Sequence, residues 1–176
     1  MPDEALLVDF LFDPPLDDRL QSSLVDLWTE VANAGGAVGF VPPAAREDVE
    51  EVARRAFAGV TDGPDHLVVA SIGDEVVGLA FLTHRPGPLF RHWATVKRLQ
   101  VHPTLQGKGI GGRLLDAVHA AAVDLGLETL HLTVRGGTGT ERFYESRGYR
   151  IVAEIPDVIR LRPGDDRDEL YLIKRL

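Results

Sequence analysis

Residues 96–126 read VKRLQVHPTLQGKGIGGRLLDAVHAAAVDLG. A short apolar alternation closes at Val101, a connector containing Pro103 follows, and Gly107, Gly109 and Gly111 then recur at every second position with Gly112 beside them. From Ile110 onward Leu114, Leu115, Val118, Ala121, Ala122 and Leu125 return at helical spacing, while Arg113, Asp116, His119 and Asp124 fall on the other face. Gly126 supplies a stop. The order is strand, loop, helix, and the loop has the makings of an anion site. Glycine lets the backbone approach a ligand closely, and the first turn of a helix presents unsatisfied N–H donors and a partial positive charge. Lys108 adds a cation. With no ligand, the same residues would serve only as a joint between a strand and a packing helix.

Working outward, the chain of 176 residues is long enough to bury a core as one domain. Its 44% hydrophobic and 26% charged residues are those of an ordinary globular protein. It contains no cysteine, which excludes disulfides, thiolate metal sites and cysteine nucleophiles. A net charge of −8 argues against a nucleic-acid surface. The start, MPDEALLVDF, carries acids where a secretion signal would carry basic residues, and no apolar run is long enough to span a bilayer. A cytoplasmic protein without membrane partners is expected.

Upstream of the organising stretch, residues 5–12 predict a strand. Asp13-Pro14-Pro15 predicts the start of a helix with Leu16, Leu20, Leu24, Leu27, Trp28 and Val31 on one face, ended by Gly35 and Gly36. Pro42-Pro43 predicts the opening of a second helix with Val49, Val52, Ala53, Ala56 and Phe57 inside and Arg46, Glu47, Asp48, Glu50 and Glu51 outside, before a turn cluster at 59–65. LVVASI and VVGLAFLTH predict a hairpin about Gly73-Asp74-Glu75, and WATVKRLQV from Trp93 a third strand of that meander. Downstream, TLHLTVR at 129–135 should run parallel to the strand ending at Val101. GGTGT offers Thr138 or Thr140 as a cap for a short helix. YRIVAEI and ELYLIKRL should pair antiparallel, with a loop over 156–167. The sum is one α+β domain with a central mixed sheet of about seven strands and helices on both faces.

Three phosphate-binding patterns compete for the loop. A Walker loop needs GxxxxGK and then Ser or Thr, but Lys108 is followed by Gly109, and His102 stands where the first glycine should be. A dinucleotide fingerprint is literally present as Gly107, Gly109 and Gly112. That motif wants its first glycine directly after the strand and an acid at the end of the next one; here HPTLQ intervenes and the next strand ends in Arg135.

The third pattern is a family signature. LQVHPTLQGKGIGGRLL resembles the acyl-CoA-binding segment of the GCN5-related N-acetyltransferases (GNAT family), whose signature of Gln or Arg, two residues, Gly, one residue, then Gly or Ala is filled by Gln106, Gly109 and Gly111. VVGLAFL resembles the family's third strand, FYESRGY its late helix and following strand, and ELYLIKRL its closing strand. The resemblance covers residues 65–176 well and the earlier part by order of elements. VKRLQVHP with QGKGIG is faintly similar to the tabtoxin-resistance acetyltransferases.

The resemblance implies one N-acetyltransferase domain over residues 1–176, with the strand ending at Val101 splayed from the strand ending at Arg135 to open a V-shaped cleft, and acetyl-CoA as donor without a metal. Leu99, Gln100 and Val101 would pair with the pantetheine arm, and Gln106, Gly107, Lys108, Gly109, Ile110 and Gly111 would hold the pyrophosphate. A primary amine, expected to be a small molecule, would attack the thioester directly, with the Val101 amide facing the oxyanion and Tyr144 as general acid for the leaving thiolate. Two departures stand out: Thr95 occupies the position where some relatives carry a glutamate base, and Gly137 one where many carry asparagine. Glu75, His84, His92 and His102 remain candidate bases. His119 and His131 lie on different elements and give no metal spacing. A homodimer is common in the family. A sensor that binds acyl-CoA without turnover also stays open.

Overall fold

In a computed structural model describing residues 7–176, the secondary elements follow the hydrophobic periodicities closely and depart from them mainly at element starts. Among the described residues the strands are β1 (Asp9–Phe12), β2 (His66–Ile72), β3 (Glu75–His84), β4 (Trp93–Val101), β5 (Thr129–Arg135), β6 (Arg150–Arg162) and β7 (Asp165–Arg175). The α-helices are α1 (Asp18–Asn33), α2 (Arg46–Thr61), α3 (Ile110–Asp124) and α4 (Thr140–Glu145). The strands form one mixed sheet in the order β1-β2-β3-β4-β5-β7-β6. Of the first predicted strand, residues 5 and 6 lie outside the described residues. No helix among the described residues is long and apolar enough to cross a membrane.

Two compact units divide the chain, the first holding residues up to Thr83 together with Lys97–Ala121, the second His84–Val96 and Ala122–Leu176. In the first, the register Leu67↔Phe81 and Val69↔Leu79 puts these four residues on one face of the β2–β3 hairpin. They join Leu24, Trp28, Val31, Val49, Ala53 and Phe57 of α1 and α2 in a single buried cluster. The alternate residues face α3: at Gly78, paired with Ala70, a Cβ would sit 3.3 Å from Ala70 Cβ, 3.3 Å from Leu114 Cδ2 and 3.0 Å from the Gln100 carbonyl oxygen. Helices therefore cover both faces, as the alternation in LVVASI and VVGLAFL requires.

Both proline-based helix starts need correction. α1 begins after Asp17, whose carboxylate accepts from Leu20 N at 2.8 Å. Asp13 instead accepts from Leu67 N at 2.8 Å and lies 2.6 Å from His66 Nδ1, so its carboxylate ties the chain to β2. α2 begins after Ala45, and the Pro42–Pro43 bond is cis. Arg46, expected only to be solvated, reaches Asp26 of α1 at 2.7 Å and Ser22 at 2.9 Å.

In the second unit β5 pairs antiparallel with β7, and β7 with β6. The parallel register of β4 with β5 covers Trp93↔Thr129, Ala94↔Leu130 and Thr95↔His131, the orientation expected of the crossover. The predicted loop over 156–167 is instead mostly strand. β6 runs through Pro156 with register shifts against β7 between Ile155 and Ile159, and only Pro163-Gly164 separates the two strands. Pro156 is tolerated because β6 is an edge strand with one unpaired side.

Gly78→Ala should destabilise the protein by about 1–3 kcal/mol, the usual cost of an extra methyl in a filled core. Urea denaturation checks this, and an unchanged midpoint would contradict the contact of α3 with the hairpin.

Candidate functional site

The glycine-rich loop lies wholly within the first unit. After β4, the His102 N–H donates to the Val77 carbonyl at 2.8 Å, and Pro103–Leu105 makes one 3-10 turn. The Gln106 side chain then folds back to donate to the Val101 carbonyl at 3.0 Å, closing the loop onto the strand it leaves. Gly107 and Gly109 have φ of +76° and +79°, the left-handed region that side chains rarely adopt, and a Cβ at either would meet no atom within 4 Å. The first α-helical bond of α3 runs from Arg113 N–H to the Gly109 carbonyl at 3.2 Å. The N–H groups of Ile110, Gly111 and Gly112 therefore precede it, at the positive end of the helix. The Gln106 N–H is directed to the Pro103 carbonyl at 3.4 Å, so the free part of the cradle starts at Gly107. Open space and outward N–H groups fit a diphosphate. Lys108 is exposed beside them. α3 ends with Gly126 at φ +75° and a Leu127 N–H bond to the Ala122 carbonyl at 3.0 Å, as the stop signal predicts.

Leu99 is partly buried, and Gln100 and Val101 are buried at the end of β4. Before them Arg98 holds φ +53° inside the strand, a conformation that no feature of its residue type announces. Its guanidinium lies 4.7 Å from the centre of the Trp28 ring.

Tyr144 belongs to the second unit. Its ring, 8% exposed, packs edge-on against Phe143 and Tyr149 at 5.0 and 5.6 Å between centroids. Burial pushes its hydroxyl up to about 12, so it is protonated through the neutral range. Burial, with a smaller contribution from Tyr144, raises Tyr149 as well. The short helix that carries Tyr144 starts at Gly139 in the left-handed region, with no side-chain cap. Of the two predicted caps, Thr138 accepts from Thr140 N at 3.3 Å and donates to the Arg135 carbonyl at 2.9 Å, holding the joint before the helix.

The four candidate bases separate. Glu75 and His102 line an open concavity of about 410 Å³ together with Asp26, Glu30 and Asp74. His102 is engaged there, its Nε2 2.6 Å from Glu30 and its Nδ1 2.8 Å from Thr104 Oγ1. His84 ends β3, and His92 is exposed in the connection before β4. The second unit brings forward a histidine that the chain's linear order hides. His131 faces Thr95 in the parallel β4–β5 register, with Thr95 Oγ1 3.4 Å from His131 Nδ1. Trp93 and Tyr171 flank the imidazole at 5.8 and 5.6 Å. The parallel pairing of 129–135 with β4 was the signal that could have found it. Among the described residues no group of three His, Cys, Asp or Glu could hold a metal ion.

A mixed sheet whose fourth strand leads through a glycine loop into a helix defines an α+β protein. The family model described as the acetyltransferase (GNAT) domain matches residues 63–151, about half of the chain, and the chain belongs to that family, whose members are N-acetyltransferases. Solved structures agree in fold. A GCN5-related N-acetyltransferase from Kribbella flavida is similar at 22% identity, covering 98% of this chain and 99% of its own, with a TM-score of 0.75. A ribosomal-protein-alanine N-acetyltransferase from Brucella melitensis is 21% identical over 97% and 100%, TM-score 0.77. An aminoglycoside 6'-N-acetyltransferase complexed with coenzyme A is 17% identical over 96% of each chain, TM-score 0.71.

The buried tyrosines set an alkaline limit. Their folded-state values lie above the ordinary tyrosine value of about 10, so as pH rises past it the unfolded chain sheds protons that the native state retains. Stability should be unaffected by these groups below that point and fall as pH rises through 10 toward 12. Urea midpoints against pH check this, with a shallower fall expected in Tyr149→Phe; a parent curve flat to about pH 12 would contradict it.

Proposed function

We propose that this protein transfers the acetyl group of acetyl-CoA to the primary amine of a small molecule by direct attack. The open, left-handed Gly107–Gly109 backbone at the head of α3 carries this reading. The N–H groups from Gly107 to Gly111, with Lys108, hold the pyrophosphate. Leu99 to Val101 take the pantetheine arm as a neighbouring strand would. Bound acetyl-CoA supplies a thioester whose acyl carbon accepts the nucleophile. As the amine's N–C bond forms and the C–S bond breaks, the Val101 N–H faces the carbonyl oxygen and the amine must lose a proton.

His131 takes that proton in this scheme. It stands against Thr95, the position of the glutamate in some relatives, and an Nδ1–H directed at Thr95 Oγ1 puts the lone pair on Nε2. Tyr144 faces the departing sulfur as a neutral donor. Its hydroxyl holds its proton more tightly than an ordinary thiol, so its contribution is a hydrogen bond to the developing thiolate more than complete transfer.

Calorimetry with acetyl-CoA tests the cofactor site. Gly111 is helical, and a Cβ there would meet only Val101 Cγ2, at 3.7 Å. Gly111→Ala should therefore stabilise the fold by about 0.5–1 kcal/mol while weakening acetyl-CoA binding, since its methyl stands among the donors. Unchanged affinity would move the pyrophosphate elsewhere.

Thiol-release kinetics over a panel of amines test the chemistry. His131→Asn should lose about 100-fold or more in kcat together with the acid limb of the pH profile, and Tyr144→Phe about 10-fold or more, both with acetyl-CoA affinity intact. A parent that binds acetyl-CoA yet acetylates no amine would favour a binding module.

A further inference from the structure

Among the described residues Arg98 is a cation without an acid. Arg46, Arg54, Arg55, Arg160, Arg162 and Arg167, by contrast, pair with carboxylates at the surface. Arg98 is partly buried, its guanidinium lies on the Trp28 ring, and among the described residues no carboxylate is paired with it. Burial pushes it below the usual arginine range, although a guanidinium remains charged there. The segment Val38 to Phe40 borders this place: Val38 accepts from the Trp28 indole at 2.9 Å, and a Cβ on Gly39 would lie 3.9 Å from Arg98 Nε and Nη2. Gln100, 4% exposed, donates through Nε2 to the Arg98 carbonyl at 3.2 Å, while its Oε1 is buried and has no partner.

An unneutralised guanidinium held away from bulk water is costly, and the chain has 27 acidic residues from which a partner could have been drawn. The left-handed backbone at Arg98 adds strain at the same residue, a feature that points to function when the surroundings hold it. Arginine's planar fork matches a carboxylate through two parallel hydrogen bonds, and the aromatic face beneath it fixes the plane in which they form.

We propose that Arg98 recognises the acceptor, and that the amine acetylated by this protein also carries a carboxylate, bound by the Arg98 guanidinium against the face of Trp28. This rests on the acetyltransferase reading and narrows its acceptor to amino acids and related amino carboxylates. Selectivity follows from the cost of leaving the guanidinium unpaired, which an amine without an anionic group does not relieve.

The experiment compares amines that differ only in the carboxylate: L-phenylalanine with phenethylamine, L-tyrosine with tyramine, L-leucine with 3-methylbutylamine and L-lysine with cadaverine. Thiol release from acetyl-CoA is followed for the parent, Arg98→Met and Arg98→Lys, with thermal melts confirming that each variant is folded. In the parent, at least one amino acid should exceed its decarboxylated partner by about 100-fold in kcat/KM. Arg98→Met should abolish that difference mainly through KM, Arg98→Lys should restore part of it, and acetyl-CoA affinity by calorimetry should be unchanged.

A parent indifferent to the carboxylate, equal losses on both members of a pair, or weakened acetyl-CoA binding in Arg98→Met would each overturn the proposal, the last by assigning Arg98 to the cofactor. Failure of the parent to bind acetyl-CoA would instead strike at the acetyltransferase reading. The amino acids are then titrated alone while tryptophan fluorescence is followed. A saturable change in the parent that Arg98→Met lacks would sustain carboxylate recognition, and no change would overturn it.

Discussion

The first unit is assembled on the Trp28 indole. It is fully buried, donates to the Val38 carbonyl at 2.9 Å, meets Phe40 edge-on and Phe81 at a tilt, and carries the Arg98 guanidinium on its face. One side chain of α1 thereby touches β3, β4 and the segment that follows α1. Tryptophan suits this place because its large apolar surface fills the layer between helix and sheet while its N–H satisfies a carbonyl that would otherwise be buried without a donor. The chain after α1 is held a second time by Asn33, whose amide exchanges two hydrogen bonds with the backbone of Ala44.

As the proposed diphosphate site, the glycine loop does not depend on the protein's net charge. A protein with a net charge of −8 has little general attraction for a diphosphate. Backbone N–H groups at a helix start supply local positive potential that does not depend on the overall balance, and glycine leaves them unshielded. Gly107 and Gly109 also require glycine for their conformation, whereas Gly111 does not. At Tyr144 desolvation raises the hydroxyl further above the neutral range, in which a tyrosine is already protonated.

Much of the fold was legible in the residues. The alternation in VVGLAFLTH, the helical stripe from Ile110 to Ala122 and the parallel return at 129–135 each express one periodicity that tertiary packing reinforces. The misreadings cluster where a local signal had a second use. Asp13 and the prolines after it read as a helix start, but the Asp13 carboxylate is taken by β2, and Asp17 provides the cap. Residues 156–162 read as a loop because Pro156 and Asp157 are poor strand residues; an edge strand tolerates both, with the irregularity absorbed in the register.

The sequence by itself determined the family, the glycine loop and the helix behind it, because these depend on contiguous residues. The tertiary structure alone decided what stands beside what. It set His131 against Thr95, turned His102 toward Glu30, and laid Arg98 on Trp28 in a backbone conformation that its residue type does not suggest. Each of these pairs joins residues far apart in the chain, through strand register or through helix packing on the sheet. Local periodicity says which face a side chain takes; only the packed sheet says which partner that face meets.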